Sequence, residues 1–256
     1  MSAHILGVCN QKGGVGKTTT AVNLATSLAA AEYRTLLVDF DPQSNASSSF
    51  GILKNSIADN SYHLMMEAGS QNKLPPQKTS LEFLDIIPAT SDLVGAEIEL
   101  VNAEEREFHL KKALAGYIQD YDFIIMDSPP SLGVLSLNVM TAAQYLVVPV
   151  QCEYYALEGI ADLMRTVDLV KDHLNPSLEI AGILLTMYDA RNNLAHDVEN
   201  ELRKHFTDKV FRTVIPRNIR LSEAPSHGKP VLLYDIKSKG AESYLQLTQE
   251  LIGNFN

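Results

Sequence analysis

Residues 11 to 20, Gln-Lys-Gly-Gly-Val-Gly-Lys-Thr-Thr-Thr, follow directly on the apolar run Ile5-Leu6-Gly7-Val8-Cys9. An apolar strand, a glycine-rich turn, then a lysine and threonines opening a helix make a cradle for phosphate. Gly13, Gly14 and Gly16 let successive backbone N–H groups converge on one anion without Cβ clashes. The helix starting near Lys17 adds the positive end of its dipole. Lys17 is placed to reach β- and γ-phosphates, and the Thr18 hydroxyl to ligate Mg²⁺. The common form of this loop has glycine where this chain has Gln11, and a second lysine, Lys12, sits inside it.

Two further strand-like runs end in acids. Leu36-Leu37-Val38-Asp39-Phe40-Asp41 places Asp39 and Asp41 on one side by the two-residue period of a strand, within reach of a Mg-nucleotide. Phe123-Ile124-Ile125-Met126-Asp127 has the form of a Walker B strand, so Asp127 is expected to hold Mg²⁺. Pro129 and Pro130 stiffen the segment beyond that strand.

These residues must be positioned by a sheet. Apolar runs at His4–Cys9, Thr35–Phe40, Phe83–Ile87, Phe123–Met126, Tyr145–Val150, Ile180–Thr186 and Val210–Ile215 read as strands, several buried on both faces. Helical patterns fill Thr18–Ala31, Ala103–Gln119, Leu157–His173, Leu194–Phe206 and Gly240–Ile252, and Ser70–Ser80 reads as a surface loop. The alternation predicts an α/β fold, a doubly wound, mostly parallel sheet with helices on both faces and ligands at the strands' carboxyl ends. The 256 residues suit one domain spanning 1–256. Cys9 and Cys152 read as buried core thiols. No export signal and no apolar stretch of ~20 residues is expected, which points to the cytoplasm.

The net charge of −10 argues against a polyanion partner, but the charge is unevenly spread. Residues 191–240 carry ten Lys/Arg against six Asp/Glu, whereas residues 80–110 carry eight acids against Arg106 alone. One face of such a molecule can bind a polyanion.

Lys-Gly-Gly-Val-Gly-Lys-Thr resembles the deviant Walker A loop of the ParA/MinD ATPases. The stretches Leu185–Leu194 and Ile215–Pro230 are similar to the chromosome-partitioning Soj/ParA proteins of that family, and the resemblance spans the chain. It implies a P-loop NTPase fold and an ATPase using ATP and Mg²⁺. Lys12, Gly13, Gly14, Val15, Gly16, Lys17, Thr18 and Thr19 would hold the phosphates, and Pro216, Arg217 and Asn218 would flank the adenine. Thr18, Asp39 and Asp127 form the expected metal region. Lys12, Lys17 and Asp41 are the expected catalytic residues: Lys12 crosses to the partner's nucleotide, and Asp41 orients the attacking water. Arg191 and Arg220 match DNA-contact positions.

The implied activity is an ATP-dependent homodimerisation switch that binds double-stranded DNA non-specifically and is stimulated by a ParB-like (Spo0J-type) activator, cytoplasmic and nucleoid-associated. Only ten residues precede Gln11, so no DNA-binding helix-turn-helix is expected there. The segment 241–256 lacks Lys and Arg, so no membrane anchor of the MinD type is expected. A MinD-like membrane-cycling ATPase and a metabolic P-loop phosphoryl-transfer enzyme are the alternatives. His227 reads as structural. Ser44 departs from the glycine common in Soj-like loops after Asp-Pro-Gln.

Overall fold

The computed structural model describes residues 2–53, 57–67, 73–153 and 155–255. Seven strands form one sheet: β1 (His4–Val8), β2 (Thr35–Asp39), β3 (Gln77–Lys78), β4 (Leu84–Ile87), β5 (Phe123–Asp127), β6 (Tyr145–Gln151) and β7 (Glu179–Thr186). Their order is β3-β4-β2-β5-β1-β6-β7, parallel except for the short edge strand β3. The β-branched runs sit centrally because a parallel strand here is covered on both faces.

Eleven helices are described: α1 (Lys17–Ala30), α2 (Asn45–Ser48), α3 (Ser61–Met66), α4 (Leu93–Glu99), α5 (His109–Leu114), α6 (Val134–Ala142), α7 (Ala156–His173), α8 (Asn193–Phe206), α9 (Ile219–Glu223), α10 (Val231–Tyr234) and α11 (Lys239–Phe255). Strand alternation divides the core in two. Leu36, Val38, Ile124 and Met126 face the layer that includes α5, α6 and α7, while Leu37, Ile125 and Val147 face α1 and α11. The doubly wound sheet expected from the sequence is therefore present.

Three expected elements are corrected. Val210–Ile215 forms no ladder strand. It runs beside β7 through an isolated bridge, Ile183 to Val210, and through the Phe211 and Ile215 N–H groups, which donate to the Ile183 and Leu185 carbonyls at 3.0 and 2.8 Å, while a second bridge joins Tyr188 to Pro216 just beyond it. The ladder is interrupted in between, where the carboxylate of Glu250 of α11 takes the Arg212 and Thr213 N–H groups at 2.7 and 2.9 Å. The Ala103–Gln119 helix is also interrupted. Asn138 of α6 accepts the Leu110 N–H at 3.0 Å and donates to the Arg106 carbonyl at 2.8 Å, inserting itself where a helical bond would run. Within Ser70–Ser80, residues 70–72 lie outside the described residues, and Gln77–Lys78 forms β3 instead of loop.

Candidate functional site

The loop between β1 and α1 adopts left-handed backbone at Gly14 (φ 74°) and Gly16 (φ 89°), where a side chain would be strained. Side chains fasten it from outside. Asn10 donates to the Pro149 carbonyl at 2.7 Å and accepts the Lys12 N–H at 2.9 Å, and the Thr186 hydroxyl donates to the Val15 carbonyl at 2.8 Å. Gly16 gives α1 no side-chain cap, so the amides of its first turn are available to an anion. Lys17 is buried, and its ammonium donates to the Lys12 carbonyl at 3.1 Å. Burial lowers its pKa, with the nearby Asp127 charge opposing the shift. A phosphate would find this cation already desolvated.

Sheet register brings the acids together. Asp39 of β2 pairs with Asp127 of β5, which also pairs with Val8 of β1 just before the loop. The two carboxylates differ in what they already hold. Asp39 accepts the Ser47 N–H at 2.8 Å, the Ser47 hydroxyl at 2.6 Å and the Asp41 N–H at 3.2 Å. Burial still pushes its carboxyl up to about 6. Both oxygens of Asp127 are buried without a partner in full hydrogen-bond geometry. Its carboxyl is raised well above the ordinary range, first by burial and then by the Asp39 charge, although Thr18 and Lys17 pull the other way.

An orphaned buried carboxylate beside a threonine and a phosphate loop fits a Mg²⁺ site. Among the described residues no cluster of three or more His, Cys, Asp or Glu would hold a metal alone. Mg²⁺ suits such a site because it commonly takes one or two protein oxygens and completes its shell with phosphate and water.

Asp41 lines the same cleft as Gly13, Lys17, Thr18 and Pro130, and its carboxylate accepts the Gln43 N–H at 2.9 Å. Ser44 then takes φ 59°, a left-handed conformation, which gives a physical reason for glycine at that position in similar loops. A second cleft of about 290 Å³ shares Gly16, Thr19 and Met187 with the first and is walled by Pro216, Arg217 and Asn218. Its wall is set by Arg217, whose N–H donates to the Tyr188 carbonyl at 3.1 Å, and by Asn218, whose side chain caps α9 at the Arg220 N–H, 2.9 Å away.

The other expected basic site residues, Lys12, Arg191 and Arg220, pair with acids of the same chain. Lys12 pairs with Glu153 at 2.7 Å. Arg191, 89% exposed, makes a two-pronged pair with Asp189, each contact 2.9 Å. Arg220 pairs with Glu223 at 2.8 Å and Asp235 at 3.3 Å. The Tyr188–Arg217 bond joins the loop that carries Arg191 to the segment that leads into α9 and Arg220. His227 stacks on Tyr234, 4.9 Å between ring centres, in keeping with a structural role. Cys9 and Cys152 are buried, with burial raising Cys9 to about 12. No described helix is long and apolar enough to cross a membrane.

Sequence reasoning passed over Asn10, Ser47, Glu153 and Met187. Glu153 lies just past the carboxyl end of β6 and so shares the edge on which a parallel sheet binds its ligand, which was a signal open to reading. Ser47 carried no such signal, since its partnership with Asp39 depends on the left-handed turn at Ser44.

A family model described as an AAA domain matches residues 3–180. The chain is 57% identical over 250 residues to the chromosome partitioning protein ParA of Myxococcus xanthus, covering 97% of this chain and 88% of that protein. It is 55% identical over 250 residues to the sporulation initiation inhibitor protein Soj of Bacillus subtilis, covering 98% of each. Among solved structures, cobyrinic acid a,c-diamide synthase from Mycobacterium smegmatis with bound ADP and magnesium superposes with a TM-score of 0.84 at 35% identity, over 99% of this chain and 95% of that one.

Proposed function

The chain belongs to the ParA/MinD family, with the ParA and Soj chromosome-partitioning proteins, and from that premise we propose that it is an ATP-timed dimerisation switch that rides on DNA. One observation carries the reading: a buried, unpartnered Asp127 carboxylate stands beside a phosphate loop whose lysine is already desolvated. That pairing suits a Mg-nucleotide.

The ATP phosphates would lie on the N–H groups from Lys12 to Thr19, and Lys17 would exchange the Lys12 carbonyl for phosphate oxygen. Thr18 and Asp127 would hold Mg²⁺, with Asp39 in the same metal region, accepting the Asp41 N–H directly and tied to α2 by Ser47. The bound cation neutralises phosphate charge. Pro216, Arg217 and Asn218 would flank the adenine in the adjoining cleft. Asp41 would orient the water, and Lys12 would leave Glu153 to stabilise charge on the nucleotide of the second protomer. Hydrolysis returns monomers.

Arg191 and Arg220 would take DNA phosphates. Their pairs with Asp189, Glu223 and Asp235 lie at the surface, where an ion pair contributes little and is screened by salt, so a phosphate can displace the acid. Two arginines on each of two protomers give a log–log salt slope of about −3.6. A ParB-like activator would stimulate turnover, and the cycle would take place in the cytoplasm on the nucleoid with no membrane partner.

Asp41→Ala is the direct test of the cycle. Turnover should fall by about 100-fold or more while ATP affinity is kept, and an ATP-bound dimer should accumulate on DNA. Unchanged turnover would remove Asp41 from the reaction. A second reading, an ATP-dependent small-molecule ligase, has the synthase-named neighbour behind it. It requires turnover that depends on a small acceptor and ignores DNA.

A further inference from the structure

Helix α4 and the turn after it are apolar on two sides. Leu93, Ala96 and Leu100 are buried against the core. Val94, Ile98 and Val101, at i, i+4 and i+7, form a second stripe pointing outward, with 51%, 72% and 56% of their surface exposed. A helix that is apolar on both faces has a second surface to cover.

Acids ring the outer stripe. From residue 91 to 110 there are six acidic residues against Arg106, which itself pairs with Glu107. Asp92, Glu99 and Glu104 are exposed and make no ion pair among the described residues, although Glu99 accepts the Tyr62 hydroxyl. The nearby Glu105 is paired with Lys112. An apolar strip between unpaired carboxylates is complementary to a segment that carries apolar anchors and positive charges.

The strip also abuts the nucleotide machinery. A Cβ built on Gly133 would lie 2.6 Å from Glu97 Oε1, so the carboxylate of α4 rests directly on the segment after Asp127. A shift of α4 would therefore bear first on Gly133, at the start of α6.

We propose that the outer face of α4, centred on Val94, Ile98 and Val101, docks a basic, apolar-anchored segment of a protein partner and transmits its arrival through Glu97 and Gly133 to Asp127. The docking stands by itself, whereas the transmission rests on the ATPase reading.

The test uses the full chain and two synthetic helical peptides of equal positive charge, one lysine–leucine and one lysine–serine, followed by fluorescence anisotropy. The leucine peptide should bind at least about tenfold tighter than the serine peptide. Ile98→Ser combined with Val101→Ser should erase that difference, and Glu99→Gln with Glu104→Gln should weaken both peptides and flatten the salt dependence. These side chains are exposed, so the thermal midpoint and the peptide-free turnover should stay as in the parent chain. The leucine peptide should change parental turnover by about twofold or more and leave the Ile98/Val101 variant unmoved. Equal peptide affinity in parent and variant would overturn the proposal. A nucleotide-free dimer lost in the same variant would also overturn it, since the face would then bind a second copy. A parent chain that binds the peptide but hydrolyses no ATP would overturn the transmission and the ATPase reading, leaving the docking in place.

Discussion

The phosphate end of the molecule and its arginine edge are built on opposite terms. Lys17, Asp39, Asp41 and Asp127 are almost fully buried, with Asp39 and Asp127 set side by side by parallel register. Arg191, in the loop before α8, and Arg220, on the short helix α9, lie at the surface, each neutralised by acids of its own neighbourhood. The first region is preorganised, so its charges act at full strength in a low dielectric, and an unpaired group there is costly. The second is a set of exchangeable surface pairs whose individual contributions are small and screened by salt. The proposed switch would use both kinds of region: a buried site to hold the nucleotide, and a surface whose grip on DNA would depend on doubling.

The largest expected effect lies in the buried region. Lys17→Ala should weaken ATP binding by about 30-fold to 5,000-fold, since removing one partner of a desolvated charge contact costs about 2–5 kcal/mol. Normal ATP affinity, measured by titration calorimetry, would break the contrast at once. Arg220→Glu should leave ATP affinity alone and reduce the salt slope for DNA by about 1.8 per dimer. If dimerisation fell in parallel, the arginine would belong to the protein interface.

A pH series sharpens the comparison further. In the metal-free protein the Asp39 carboxyl is raised to about 6 from its ordinary carboxylate value, and Asp127 is raised as well. The folded state therefore holds extra protons, and their stabilising contribution is present at low pH and lost as pH rises through about 6. The thermal midpoint in a chelator should drop across that window, and Mg-ADP should restore it. A flat profile would contradict the buried-acid account.

The smallest effect is at Ser44. Relief of its left-handed backbone is worth about 1–2 kcal/mol and is offset by about 0.5–1 kcal/mol of glycine's unfolded-state entropy. Ser44→Gly should therefore raise stability by about 0.5 kcal/mol in a denaturant titration. A loss of stability would mean that the buried Ser44 side chain contributes packing or its Pro42 contact.

The central strands and the amphipathic helices α7, α8 and α11 were legible because each wears its environment as a period. Helix α6, reading Val-Leu-Ser-Leu-Asn-Val-Met-Thr-Ala, was not, since it is buried on most sides and has no polar face to set a rhythm. The broken 103–119 helix and the interrupted 210–215 strand turned on Asn138 and Glu250, single side chains distant in sequence that outbid local pattern. At the site, residue types in the loop and at strand ends pointed to the expected members. Which acid is satisfied and which is open depended on Ser47, whose position no local pattern carries.

The central claim is that nucleotide state controls the grip on DNA. The most direct measurement is binding of a labelled random-sequence duplex with ATP and Mg²⁺, with ADP and without nucleotide, across a salt series. Tight binding with ATP alone is predicted, independent of sequence, with a slope of about −3.6. Equal binding in all three states, or none in any, would contradict it.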